Sequence, residues 1–148
     1  MQTLRQFVCG TDFSPCADHA LALTIRLASA EQARVAVVHV CGLDADEARV
    51  RACAEALSVV VARNNHSHVE VSGVLRRGTP WKKLDNVAAE VGASLIVVGR
   101  HGAGRGRNVE LGSVAEQLVR TAHRSVLIVT CDFECFVTER SEQRNKTL

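Results

Sequence analysis

The chain contains no tyrosine and a single tryptophan, and aromatic residues make up only 3% of its 148 positions. So few rings give no stacking platform for single-stranded nucleic acid. An excess of one charge is also missing. The 18 Lys and Arg against 16 Asp and Glu leave a net charge of +2, without the clustered basic footprint of a nucleic-acid surface. No apolar run approaches the ~20 residues of a membrane span. The opening Met1-Gln2-Thr3-Leu4-Arg5-Gln6 has neither the apolar stretch nor the small-residue cleavage site of a secretory signal. Neither nucleic acid nor membrane is expected as a partner, and a cytoplasmic location is. Six cysteines are present, but Cys9, Cys41 and Cys53 fall inside apolar patterns, where a thiol behaves as a small hydrophobe. The expectation is a reduced protein. Cys16, in the first turn of a helix, is the thiol to check for a lowered pKa.

Several site chemistries are excluded by missing residues. A P-loop needs a lysine before its final Ser or Thr, and neither Gly99 to Gly104 nor Gly106 to Ser113 supplies one. A dinucleotide fingerprint needs three glycines after the first strand, where Gly10-Thr11-Asp12-Phe13-Ser14 has one. A phospho-accepting receiver needs an aspartate after the third strand and a lysine after the fifth; those places hold Leu75-Arg76 and Thr130-Cys131. Cys131 and Cys135 have no second ligand pair at metal spacing, so no metal site is expected. No Ser/His/Asp spacing, paired carboxylates or general base mark a catalytic centre, so no catalytic residue is assigned.

What is present is core-forming sequence: 47% hydrophobic against 23% charged residues, enough for one domain with one core. Phe7-Val8-Cys9 reads as a short buried strand closed by Gly10-Thr11-Asp12. Ser14 and Pro15 follow as N-cap and first residue of a helix, with Ala20, Leu23 and Leu27 at helical spacing. Val35-Ala36-Val37-Val38-His39-Val40 is rich in β-branched valine, a strand covered on both faces. Residues 44–65 read as helix, and residues 69–75 as an edge or half-exposed strand. Thr79-Pro80 opens the next helix, which Gly92 closes as its C′ residue. Leu95-Ile96-Val97-Val98 is the most apolar strand and is expected centrally. Ser113 and Glu116 match a capping box before a last helix. Ser125 to Val129 is the fifth strand, running on to Thr130. Beyond a domain of residues 1–131, residues 132–148 form a polar tail.

Five strands alternating with four helices specify an α/β domain around an open parallel sheet. Ligands in such sheets bind at the C-terminal strand ends, where the winding reverses. Asp12 and the stretch Val98-Gly99-Arg100-His101-Gly102 stand at two such ends. The glycines of that stretch, and the helix opening at Gly112-Ser113-Val114, suit an anion held by backbone N–H groups.

Gly99-x-x-Gly102, nine residues, then Gly112-Ser113 resembles the nucleotide-binding signature of the universal stress protein family, G-2x-G-9x-G-[ST]. The first-strand loop Asp12-Phe13-Ser14, the pair His39-Val40 and Gly78-Thr79-Pro80 are similar to further family motifs. The resemblance covers about residues 5–130. It implies a Rossmann-like, three-layer fold of the adenine nucleotide alpha hydrolase type, with strand order 3-2-1-4-5, helices on both faces and usually a dimer. It implies ATP as the ligand, with or without Mg2+, in a protein acting as a stress-response switch. Carried over, Asp12 lies near the adenosine and Val40 by the base. Ribose and phosphates fall to Gly99, Gly102, Gly112 and Ser113, flanked by Val98 and Val114. His101 stands where the family often has arginine, and Glu110 lies inside the loop. Arg105 and Arg107 are placed for the outer phosphates.

In that strand order the fifth strand is an edge, yet Val126, Leu127, Ile128 and Val129 are apolar on both faces. Exposed apolar edges are normally covered. The expectation is a two-fold homodimer through this strand. Two other functions stay open: a dimeric interaction module that binds no nucleotide, and a slow ATP hydrolase.

Overall fold

The computed structural model of the chain describes residues 5–65, 68–101 and 111–130. Five strands, β1 (Gln6–Gly10), β2 (Arg34–Cys41), β3 (Val71–Arg77), β4 (Leu95–Gly99) and β5 (Ser125–Val129), form one sheet. They alternate with α1 (Pro15–Glu31), α2 (Glu47–Asn64), α3 (Pro80–Val91) and α4 (Ser113–Thr121). The order is β3-β2-β1-β4-β5, and every pairing is parallel. This is the Rossmann-like three-layer fold that the sequence implies.

Alternation along the strands builds two cores, one on each face of the sheet. Phe7, Cys9, Val35, Val37, Val71 and Val97 pack against Ala20, Leu21 and Ala28 of α1 and Leu57 of α2. Val8, Ala36, Val38, Ile96 and Val98 pack against Leu84, Val87 and Ala88 of α3 and Ala115 and Leu118 of α4. Burial of a side chain such as Ile96 or Leu118, both without exposed surface, contributes about 1.5–3 kcal/mol. Adjacent residues of one strand therefore serve different cores, and at the strand ends they serve different sites.

Five sequence expectations need correction. The most apolar strand, β4, is interior but not central; β1 holds the middle, between β2 and β4. β3 begins at Val71, because its register runs from Val35↔Val71 to Cys41↔Arg77. α2 begins after Asp46, whose Oδ1 accepts the Arg49 N–H at 2.7 Å, and not at Asp44. Ser113 does not cap α4: Gly112 is the N-cap, and among the described residues no side chain caps this helix. β5 ends at Val129 and does not run on to Thr130, but two helix ends are as expected. Ser14 caps α1, its hydroxyl accepting the Ala17 N–H at 3.2 Å. Gly92 ends α3 at φ 66°, a left-handed conformation that suits glycine. No helix among the described residues is long and apolar enough to cross a membrane.

Candidate functional site

The winding reverses between β1 and β4, so the loops after these strands open on one crevice. On the β1 side, Thr11 continues the sheet by donating its N–H to Val38 O at 2.8 Å. The next residues are held by their own side chains. Thr11 Oγ1 accepts the Phe13 N–H at 3.0 Å, and Asp12 Oδ1 accepts the Ser14 N–H at 3.0 Å. Phe13 sits at φ 65°, a conformation that costs a non-glycine residue of order 1–3 kcal/mol. Those hydrogen bonds hold it there. So does the ring of His39, whose centroid lies 4.4 Å from that of Phe13. His39 Nδ1 is 2.8 Å from Thr11 O. A carbonyl only accepts, so Nδ1 carries the proton of that bond.

On the β4 side, Gly99 runs against the start of α1. A Cβ at Gly99 would stand 2.9 Å from Cys16 Sγ and 3.2 Å from the Cys16 carbonyl group. Only glycine permits that approach. Arg100 donates its N–H to Val129 O at 2.8 Å, and Gly112 donates to Arg100 O at 2.7 Å. The start of α4 is thus tied to the end of β4. Its first-turn N–H groups open towards the crevice without a capping side chain among the described residues, the arrangement that favours an anion.

Between the two sides lies a cavity of about 310 Å³, at the lower end of the range for small-molecule sites. Eight of the nine residues singled out from sequence line it: Asp12, Val40, Val98, Gly99, His101, Gly112, Ser113 and Val114. The ninth, Gly102, lies outside the described residues, as do Arg105, Arg107 and Glu110, Cys131 and Cys135, and the tail 132–148. The sequence reading missed Thr11, Val38, Pro80 and Leu84, which also line the cavity. Thr11 and Pro80 stand inside motifs already quoted. Val38 and Leu84 follow only from the sheet order, which lays α3 across the end of β2.

The lining divides by chemistry. Val40, Val98, Leu84 and Val114 make an apolar wall. Asp12, His101 and the α4 N-terminus supply the polar end. An apolar wall beside a few fixed polar groups suits a ligand with one flat apolar part and one anionic part.

The cysteines divide as well. Cys9, Cys41 and Cys53 are free and buried. Cys9 has its thiol pushed up to about 12 by burial. Cys16, expected as a thiol, is instead disulfide-bonded.

The model of the universal stress protein family matches residues 3–130. A universal stress protein of Methanocaldococcus jannaschii is 28% identical over 60 residues, 40% of this chain. That matched stretch spans 37% of the relative's length, well under two thirds of it. The universal stress protein from Archaeoglobus fulgidus in complex with dAMP superposes with a TM-score of 0.71 at 24% identity, over 87% of this chain and 99% of the other. A universal stress protein in complex with cAMP gives 0.70 at 24% identity, over 84% and 96%. These two likenesses show the fold.

Proposed function

We propose, from the premise that the chain belongs to the universal stress protein family, that it binds an adenine nucleotide in the cavity between β1 and β4. The observation that carries this reading is the cavity itself. It gathers Asp12, Val40 and the α4 N-terminus around one space of about 310 Å³. Two proteins of the same fold are described in complex with dAMP and with cAMP, which supports an adenosine phosphate as the ligand class.

The residues fit such a group. Val40 and Leu84 offer apolar surface to the base. Asp12, a carboxylate, suits the ribose hydroxyls as an acceptor. The N–H groups of Ser113 and Val114 suit phosphate oxygens, and His101 adds positive charge when protonated. ATP is the proposed physiological ligand. Asp12 is the one carboxylate among the described lining residues, so Mg2+ would come with the phosphates and not be caged by protein.

The nucleotide is proposed to act as the ligand of a stress-response switch. A second copy would read that state through β5. This strand has β4 as its one partner among the described residues, and it leaves Val126, Leu127 and Ile128 half-buried. Pairing β5 with its counterpart would cover the edge.

Purified protein is denatured, and the supernatant is analysed for adenine nucleotide by chromatography and mass spectrometry. Release of about one equivalent supports the reading. Protein that carries none, and takes up none after incubation with ATP, ADP or AMP, overturns it.

A further inference from the structure

We propose that His39, Cys41 and Cys53 form a binding site for a thiophilic metal ion, zinc(II) in the first place, through one imidazole and two thiolates. One ligand atom from each residue lies within 4.8 Å of the other two. The spacing has a structural cause. His39 and Cys41 are two apart on β2, so they emerge on one face of the sheet. α2 lies across that face and lowers Cys53 towards them. The sequence alone hides the cluster, because a strand pair and a lone helical residue twelve positions on make no familiar metal spacing.

The donor set is that of a borderline-soft ion. Two sulfurs and an imidazole select Zn2+ or Cu+ over Mg2+ or Ca2+. Tetrahedral zinc, with Zn–S near 2.3 Å, would set the sulfurs about 3.8 Å apart, inside the 4.8 Å within which the ligand atoms already lie. The His39 ring has one nitrogen already engaged. Its Nδ1 donates to Thr11 O at 2.8 Å, so in the neutral ring Nε2 keeps the lone pair. A backbone carbonyl on the far nitrogen is the usual outer partner of a metal-bound histidine.

Both cysteines are buried. Burial, and then the neighbouring Cys53 thiol, push the Cys41 thiol up, while Arg77 and Arg49 oppose this. Arg77 is fixed by donating to Leu43 O at 3.1 Å and Ala45 O at 2.8 Å. A bound ion would replace the thiol protons: two leave as zinc forms two Zn–S bonds. Three protein ligands leave the fourth position of a tetrahedron for water or an added thiol. His39 also lines the candidate nucleotide cavity, so the two sites share a residue.

The test uses the full chain with Cys131→Ser and Cys135→Ser, kept under a non-thiol reductant, so that those sulfurs cannot contribute. Cobalt(II) is titrated as a zinc surrogate. The expected result is one equivalent, with a thiolate-to-cobalt charge-transfer band and intense tetrahedral visible bands, both displaced by zinc(II). Cys53→Ala and His39→Ala should each weaken binding at least tenfold. X-ray absorption of the zinc-loaded protein, which needs no further substitution, should show two sulfurs plus nitrogen or oxygen neighbours. No charge-transfer band, bands unchanged in Cys53→Ala, or a zinc shell without two sulfurs would each overturn the proposal.

Discussion

A side chain on Gly99 would collide with Cys16: its Cβ would stand 2.9 Å from Sγ and 3.2 Å from the carbonyl carbon and oxygen. The approach sets the distance between the end of β4 and the start of α1, and with it the floor of the cavity. Backbone cannot give way as a flexible side-chain end can. Gly99→Ala is therefore expected to destabilise the fold by about 1–3 kcal/mol, the usual range for overpacking. Urea unfolding at constant m-value checks this; an unchanged midpoint would show that β4 and α1 separate freely.

The two helix starts at the cavity differ, and substitution should separate them. Ser14 caps α1 through its hydroxyl, so Ser14→Ala should cost about 1 kcal/mol. Ser113 is the first residue of α4, after Gly112, and no side chain among the described residues caps that helix. Ser113→Ala should stay within about 0.5 kcal/mol of the parent. Equal losses in thermal unfolding would contradict the assignment of Gly112 as the cap.

Stability should fall at alkaline pH. The Cys9 thiol is pushed up from 9.0 to about 12 by burial. Between these values the unfolded chain has lost the proton and the folded chain keeps it, so unfolding is favoured as pH rises. The loss per site is about 1.4 kcal/mol per pH unit across that window, and the contribution is complete below it. Cys41 is also raised and adds in the same direction. Cys9→Ala should lower stability at neutral pH by opening a small void, yet flatten the alkaline slope. An unaltered slope would place the linkage elsewhere.

If β5 pairs with its counterpart, a charge on that edge should split the dimer. Leu127→Lys places an ammonium among half-buried apolar residues. Light scattering is expected to give a dimer for the parent and a monomer for the variant. A monomeric parent would remove the edge from the account.

Much of this architecture was legible in the sequence, for physical reasons that also mark where reading failed. Val35 to Val40 announced a strand buried on both faces because both cores need apolar residues there. The glycine spacing from Gly99 to Gly112 pointed to the cavity because close backbone approach leaves few alternatives to glycine. The start of β3 was misplaced because its limits come from the register with β2, not from the apolarity of Val69. The capping box failed because Gly112 holds the extended backbone that a cap needs, leaving Ser113 inside the helix. The cluster of His39, Cys41 and Cys53 was invisible because it depends on which helix crosses which strand.

The central claim is that the cavity binds an adenine nucleotide, and calorimetric titration tests it most directly. ATP with Mg2+, ADP and AMP are titrated in turn into nucleotide-free parent protein and into Val40→Lys. The account predicts saturable heat for at least one nucleotide at about one per chain, weakened tenfold or more in the variant, a loss of about 1.4 kcal/mol or greater. No heat for ATP, ADP or AMP in the parent would contradict it.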